Sequence, residues 1–387
     1  MQRRAFVARG LALGAAGTIA SPAKPQGAAE PAPRRIRVGV IGCGSVSNMY
    51  LPHLSRSTHV ELVSACDIIV ERARNQAERF RIPNVYPNID QMLAGAAIDL
   101  FVNLTDMQEH ERLNRQAIAA GKHVWSEKPL ANSLTAGQEL LAQARQRQVR
   151  VWGAPVVVNS PQFAFMARTL AQGSLGDLAA ARADYGHTGP DWSAFFYQQG
   201  GGSLPDLGVY NLTTLTGLLG PARAVTAMTS IVKPQREIRG VGRIQVRAED
   251  NAIVLMDHGR NIISTMQSGF NYFNPHGHDG RNEQRHTISI VGSRGIMGLV
   301  GYDWAPRAVE LATDARPEYQ RHASDARDYV WQQGASLAAE AIATGRSTLF
   351  TAEHALHVLE IIGAARESQE SGRRVPIRST FAWPVVS

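Results

Sequence analysis

Cysteine is nearly absent: Cys43 and Cys66 are the two in 387 residues. That excludes a disulfide scaffold and a cysteine-rich metal site. No unbroken apolar run reaches the ~18 residues that a membrane helix needs. Basic clusters are also missing. The formal charge is +7, but Arg3, Arg4, Arg9 and Lys24 against Glu30 put much of it at the N-terminus. The rest of the chain carries no run of Lys or Arg able to grip a nucleic-acid backbone. What is present is 44% apolar and 19% charged residues. This is enough for well-formed cores, in a chain too long for one ordinary domain and suited to two.

Residues 1–30 read as a leader. A basic start, a mild Ala/Gly/Leu stretch over Gly10–Ala20 and an exit rich in small residues and proline are the parts of an export signal. Arg3-Arg4-x-Phe6-Val7 resembles the twin-arginine signal, which carries folded proteins across a bacterial inner membrane. Cleavage after Ala20, Ala23 or Ala29 is equally open, and a disordered basic tail is the alternative. The expected location is therefore the periplasm or outside the cell.

From Ile36 the pattern changes to a β-branched strand running into Gly42-Cys-Gly44-Ser45-Val46-Ser47. Glycines there let the backbone turn and bring bare amides against a pyrophosphate at the start of the next helix. Ser47 occupies the third fingerprint position, where Gly or Ala is usual. A second strand, Val60–Asp67, ends in an acid placed to accept hydrogen bonds from the adenosine ribose and to repel a 2′-phosphate. NAD is thus favoured, with NADP left open through residues such as Arg72. Helices over Ile69–Phe80, Glu109–Ala120 and Leu134–Arg147 alternate with strands over Ile98–Leu104, His123–Ser126 and Val149–Val151. The alternation predicts an α/β fold with a doubly wound parallel sheet over residues 35–155.

Four blocks then follow in order: Asn103-Leu-Thr-Asp-Met-Gln-Glu-His110, Ala119-Ala-Gly-Lys-His-Val-Trp-Ser-Glu-Lys-Pro-Leu130, Gly173-Ser-Leu-Gly-Asp177 and Gly200-Gly-Gly-Ser-Leu-Pro-Asp-Leu-Gly-Val-Tyr210. After a Gly-x-Gly strand they resemble the Gfo/Idh/MocA family, which includes glucose-fructose oxidoreductase and inositol dehydrogenase. The resemblance implies a Rossmann domain joined, over residues 156–380, to a substrate-binding α+β domain with a large, open, mostly antiparallel sheet. Its last helices are expected to pack back on the first domain. It also implies Lys128 as the catalytic lysine, Asp206 and Tyr210 beside the reacting carbon, and Thr105, His110 and Glu127 around the cofactor. Tyr210 stands where most members have His, as in the glucose-fructose oxidoreductases. Trp152-Gly-Ala-Pro155 replaces the usual Asn/Arg-rich strand end. A homodimer or homotetramer through the broad sheet is the assembly this likeness suggests.

The residues have independent readings. Oxidising a carbinol needs a proton acceptor within hydrogen-bond reach of the oxygen. An ammonium such as Lys128 next to Tyr210 favours the phenolate. On a helix over Pro205–Leu219, Asp206 and Tyr210 share one face. Ser203-x-x-Asp206 also reads as a capping box, Tyr210 as a packing residue, and Gly200–Gly202 as a hinge. His187 and Trp192 are candidate sugar contacts, a Trp face covering pyranose C–H bonds. His276, His278 and Asp279 look like a metal cluster but lie among Pro275, Gly277 and Gly280, so a polar loop without metal is expected. Strands are expected over Ile253–Met256, Ile262–Met266 and Thr287–Val291, and closing helices over Ser324–Thr344 and Ala352–Ser371. The function expected is an oxidoreductase acting on a sugar carbinol with tightly held NAD(P) recycled by a second sugar. Redox-assisted glycoside cleavage and a non-catalytic sugar-binding module are the alternatives.

Overall fold

A computed structural model describes residues 34–275, 282–324 and 329–386. The leader and the cluster His276, His278 and Asp279 lie outside the described residues. The first half opens with β1 (Ile36–Ile41), α1 (Ser47–Arg56), β2 (Val60–Cys66), α2 (Val70–Phe80), β3 (Asn84–Tyr86) and α3 (Ile89–Ala94). It continues through β4 (Leu100–Asn103), α4 (His110–Ala119), β5 (His123–Ser126), α5 (Leu134–Gln146) and β6 (Val151–Gly153). The six strands form a parallel sheet in the order β3-β2-β1-β4-β5-β6. Both faces are covered by helices, so strands such as Leu100–Asn103 are buried at every position. The order reverses between β1 and β4, and the loops leaving those two strands open a crevice at their C-terminal ends. The β6 strand begins at Val151, two residues later than the apolar pattern suggests, because Val149 still closes the end of α5 by donating its N–H to Ala144 O.

The second half begins with α6 (Pro161–Ala171), β7 (Leu178–Gly186) and α7 (Val209–Leu219), followed by β8 (Ala224–Ser230), β9 (Gln235–Ile238) and β10 (Gly242–Gln245). Then come β11 (Asn251–Asp257), β12 (Ile263–Gly269), β13 (His286–Gly292), β14 (Gly295–Val300), β15 (Ala308–Thr313) and β16 (Arg316–His322). The chain closes with α8 (Gly334–Thr344), α9 (Ala352–Ser371) and β17 (Val375–Pro376). Nine strands form one sheet in the order β16-β15-β14-β13-β7-β12-β11-β8-β17, antiparallel except for the parallel pair β12 and β7. This is the mixed sheet the resemblance implies. The β9–β10 hairpin stands apart as a two-stranded sheet.

One face of the large sheet holds the core. Along β11, Ala252, Val254 and Met256 are buried while Ile253 and Leu255 are exposed, the period-2 signature of a half-covered sheet. Helix α7 is buried at all eleven positions. Its threonines stay satisfied by bonding back along the helix, Thr213 Oγ1 to Val209 O at 2.8 Å and Thr216 Oγ1 to Leu212 O at 2.7 Å. Leu356 and Leu359 of α9 belong to the same apolar cluster as Leu140 and Leu141 of α5, joining the two halves. Two expected elements differ. Helix α8 starts at Gly334, not Ser324, and at Gly334 the Trp125 ring packs so close that a Cβ would collide with it. The expected helix over Pro205–Leu219 begins instead as a single π-turn, Leu204–Gly208, in which Val209 N reaches back to Leu204 O.

Two buried histidines of α9 make the fold acid-sensitive. His354 meets Thr216 Oγ1 at 2.8 Å and stacks on Phe381, and His357 Nε2 accepts the Ala222 N–H at 3.0 Å. Burial drives their pKa values down, to about 3 and about 4 respectively. Both titrate near 6.5 when unfolded, so their contribution is complete above that pH and declines as pH falls toward 4. At pH 5 the loss is about 2 kcal/mol for each imidazole. The urea midpoint should fall between pH 7.5 and pH 5, and fall less in His354→Gln. An unchanged wild-type midpoint refutes the argument.

Candidate active site

The crevice after β1 and β4 continues into a cavity of about 760 Å3 that reaches the covered face of the large sheet. Its first wall is the glycine loop. Gly42 has φ +85, and a Cβ there would lie 2.6 Å from Leu104 O, so only glycine lets β1 turn against the loop after β4. A Cβ at Gly44 would meet nothing within 4 Å, leaving its backbone open to the cavity. Ser47 is buried and donates its hydroxyl to Gly44 O at 2.6 Å, which pins the turn and accounts for serine at the third fingerprint position. No side chain caps α1 and no acid occupies its first turn. That bare positive end, beside an open glycine, fits the pyrophosphate of a dinucleotide. Ser45 and Val46 line the same wall.

Asp67 lies just behind this wall. Its Oδ2 accepts the Cys43 N–H and its Oδ1 the Ile69 N–H, both at 2.8 Å. The carboxylate therefore ties the glycine loop to the end of β2. It does not cap α2, whose N-cap residue is Ile69. Arg72 reaches the cavity beside it. Cys43 and Cys66 are buried free thiols, each pushed up to about 12 by burial.

The loop after β4 carries Thr105, whose Oγ1 donates to Asn103 Oδ1 at 2.7 Å. His110 begins α4 fully buried, with Nδ1 at 2.8 Å from Pro129 O and Nε2 at 2.9 Å from Thr105 O. Burial lowers its pKa against the pull of those two carbonyls, and a neutral ring donates to only one of them. His110 thus clamps the loop after β4 to the Glu127-Lys128-Pro129 turn. Glu127 is held in turn by Tyr50 of α1, whose hydroxyl donates to Oε1 at 2.6 Å, while Oε2 accepts the Lys128 N–H at 3.0 Å. Tyr50 was marked by no motif, and nothing in the glycine fingerprint predicts it.

Lys128 points from the end of β5 across the cavity to the π-turn. Its ammonium donates to Asp206 Oδ1 at 2.6 Å and to Asp206 O at 2.9 Å. A π-turn at a functional site commonly re-aims a side chain. This one commits Asp206 to Lys128, so the capping box of Ser203 does not form; Ser203 Oγ lies instead 3.4 Å from Ser268 O. The Gly200–Gly202 run is a packed turn and not a loose hinge. A Cβ on Gly202 would sit in the Glu249 carboxylate, which itself accepts the Leu204 N–H at 3.0 Å. Glu249, in no recognised motif, holds the π-turn in place.

Tyr210 lines the cavity, with Lys128 Nζ 5.3 Å from its ring centroid. The expectation of a phenolate is corrected. Burial, together with the charges of Glu127 and Asp206, pushes its pKa well above the ordinary phenol value. That direction favours the neutral phenol.

The remaining wall comes from the segment after β7. Trp192 lines the cavity at 40% exposure. His187 does not line it: it is buried against Phe270, with Nδ1 accepting the Gly189 N–H at 3.0 Å, so its reading as a sugar contact is corrected. Arg236 on the β9–β10 hairpin braces this segment. It donates to Thr188 O, Phe270 O and Asn271 Oδ1, pairs with the buried Asp250, and stacks over Tyr197. Gln108 ties the same segment to the nucleotide half, donating to Phe195 O at 3.0 Å.

A dinucleotide-binding loop facing a lysine–carboxylate pair defines a Rossmann-type oxidoreductase. Residues 36–154 match the oxidoreductase family with an NAD-binding Rossmann fold, and residues 163–297 match the GFO/IDH/MocA C-terminal domain. The chain belongs to this family of NAD-binding oxidoreductases. It is 25% identical over 317 residues to trans-1,2-dihydrobenzene-1,2-diol dehydrogenase of Bos taurus, covering 79% of this chain and 86% of the bovine one. Among solved structures, levoglucosan dehydrogenase in complex with NADH aligns with a TM-score of 0.77 at 17% identity, covering 89% of this chain and 100% of that one. Aldose-aldose oxidoreductase from Caulobacter crescentus, complexed with glycerol, aligns at 0.76 with 19% identity and the same coverage. These two likenesses are of fold. No helix among the described residues is long and apolar enough to cross a membrane.

Proposed function

We propose that the protein oxidises a carbinol of a sugar or sugar derivative, with Lys128, Asp206 and Tyr210 as the reacting group of residues. The observation that carries this reading is the Lys128–Asp206 contact of 2.6 Å, set in the same cavity as the open Gly44 backbone. Similarity to a diol dehydrogenase, a levoglucosan dehydrogenase and an aldose-aldose oxidoreductase supports a carbohydrate-type carbinol.

When bound, NAD supplies the acceptor for the hydride lost from the carbinol carbon. Gly42, Gly44, Ser45 and Val46 would hold the pyrophosphate, with Asp67 fixing their loop and Thr105, His110 and Glu127 available to the nicotinamide end. Lys128 Nζ passes a proton to Asp206 Oδ1 and takes up the hydroxyl proton of the substrate. Protonated Tyr210 donates a hydrogen bond to the same substrate oxygen, which orients the carbinol and stabilises charge as it develops there. Trp192 covers the mouth.

The division of labour follows the chain: residues 1–30 as a twin-arginine leader, 35–155 holding the nucleotide and 156–380 the substrate. A periplasmic or secreted enzyme has no free nicotinamide pool on which to draw. The reading is therefore of a resident nucleotide, loaded before export and recycled by a second sugar. The exposed Met228, Ile253, Leu255 and Ile263 on the open face of the large sheet support pairing of two or four copies there. The test is to purify the mature protein without added nucleotide, denature it and identify what is released. Near-stoichiometric NAD(H), turned over by paired sugars, is expected; an empty protein that reacts only with added NAD would refute the resident-cofactor reading.

A further inference from the structure

Aromatic residues make up 7% of the chain, yet seven of them line the cavity beside the glycine loop. Four of these touch in a closed circuit: Tyr185 to Tyr210 at 6.2 Å between ring centroids, Tyr210 to Trp331 at 6.0 Å, Trp331 to Trp304 at 6.0 Å, and Trp304 back to Tyr185 at 6.3 Å. The spacings and tilts are those of favourable aromatic pairs, so the four rings form one continuous wall. It is held from behind. Asp303, between Tyr302 and Trp304, is buried and accepts Thr214 Oγ1 at 2.8 Å and Asn211 Nδ2 at 3.1 Å, both from α7. Tyr302 stacks parallel to Trp304, 6.3 Å away.

The charged groups of the substrate end are Lys128 and Asp206, and they are spent on each other and on the reacting oxygen. Lys128 Nζ stands 5.3 Å from the Tyr210 ring, so the polar end of the site and the wall are separated by less than the width of a sugar ring. The polar atoms of the wall are the Tyr185 hydroxyl and the Trp304 and Trp331 indole N–H groups, with the Tyr210 hydroxyl given to the reacting oxygen, so a fully hydroxylated second ring would find fewer partners than it has hydroxyls, at a desolvation cost. A flat apolar group there loses no hydrogen bonds and covers aromatic surface.

We propose that the wall of Tyr185, Tyr210, Trp304 and Trp331 is a subsite for an aryl group attached to the carbinol-bearing sugar, so that aryl glycosides are preferred to free or alkyl sugars. The inference rests on the carbinol reading for the position of the sugar. Lys128 and Asp206 hold the sugar hydroxyl, and the aglycone lies against the wall.

The test compares phenyl and methyl β-D-glucopyranoside on the NAD-loaded full chain, reading affinity by tryptophan fluorescence and turnover by initial rates. The phenyl glycoside is expected to bind at least 10-fold more tightly, a difference of about 1.4 kcal/mol. Trp331→Leu should reduce that ratio to about 2. Equal affinities in the wild-type protein, or binding of neither glycoside, overturn the subsite whatever the variant does. Tighter binding of the phenyl glycoside with no oxidation of either would uphold the wall and count against the carbinol chemistry, which keeps the two failures apart.

Discussion

Lys128→Ala will lower kcat about 1000-fold while the protein still binds NAD, the scale expected when a positioned proton-transfer group is lost. Lys128 is the donor that joins the end of β5 to the π-turn, through both Asp206 Oδ1 and Asp206 O. Removing it takes away the group that receives the hydroxyl proton and leaves a poorly solvated carboxylate alone. Glycine-loop contacts are untouched, so nucleotide affinity should change little. Tyr210→Phe separates the two candidate bases. A tyrosine held protonated by burial contributes a hydrogen bond and no base, so its loss should cost about 10-fold. Should Tyr210→Phe instead match Lys128→Ala, the tyrosine is the base and the relay through Asp206 is wrong. The measurements are single-turnover rates for chemistry and NAD titration for binding, with unchanged turnover of Lys128→Ala removing that residue from the reaction altogether.

The contrast between these two residues shows what a linear pattern can carry. Lys128 follows a short apolar strand in a doubly wound sheet, and topology alone puts such a residue over the crevice. The glycine loop is legible for a similar reason: Gly42 admits no side chain and Gly44 must stay bare, so the physical demand is written as residue identity. Tyr210 lines the cavity, but its charge state depends on the neighbours Glu127, Tyr185 and Asp206, which the fold brings from three different elements. The alternative reading of Asp206 as half a capping box fails because that pattern assumes an α-helical first turn, whereas Leu204–Gly208 is wound as a π-turn. In the segment after β7, Trp192 reaches the cavity while His187, the first residue past the strand, turns in against Phe270, a difference that no local pattern announces. Arg236, Glu249 and Tyr50 left no signal. Their partners lie far away in the chain: Glu249 holds a backbone amide and Arg236 two backbone carbonyls, groups that any sequence would supply, while Tyr50 holds the Glu127 carboxylate 77 residues on.

The nucleotide half makes the second large prediction. Asp67→Ala should weaken NAD binding about 100-fold, because two effects act together. One is loss of the acid at the adenosine ribose. The other is local: the Cys43 and Ile69 amides, both bound to Asp67 at 2.8 Å, are left without their acceptor. An amide buried without a partner costs roughly 1–3 kcal/mol, and the Cys43 amide belongs to the loop that meets the pyrophosphate. The loop should therefore lose order even before nucleotide arrives. Asp67→Asn distinguishes the parts. It keeps one oxygen and the shape but loses the charge, so it should retain more of the loop's rigidity while no longer repelling a 2′-phosphate. With Arg72 already at the cavity, Asp67→Asn should narrow the preference for NAD over NADP, and Asp67→Ala should impair both nucleotides. Titrating both nucleotides into both variants, with thermal melts of the empty proteins, checks each part. If Asp67→Ala holds NAD as tightly as the wild-type protein, neither the ribose contact nor the tether to the glycine loop matters for binding. If it loses NAD with no change in melting temperature, the ribose contact alone is responsible.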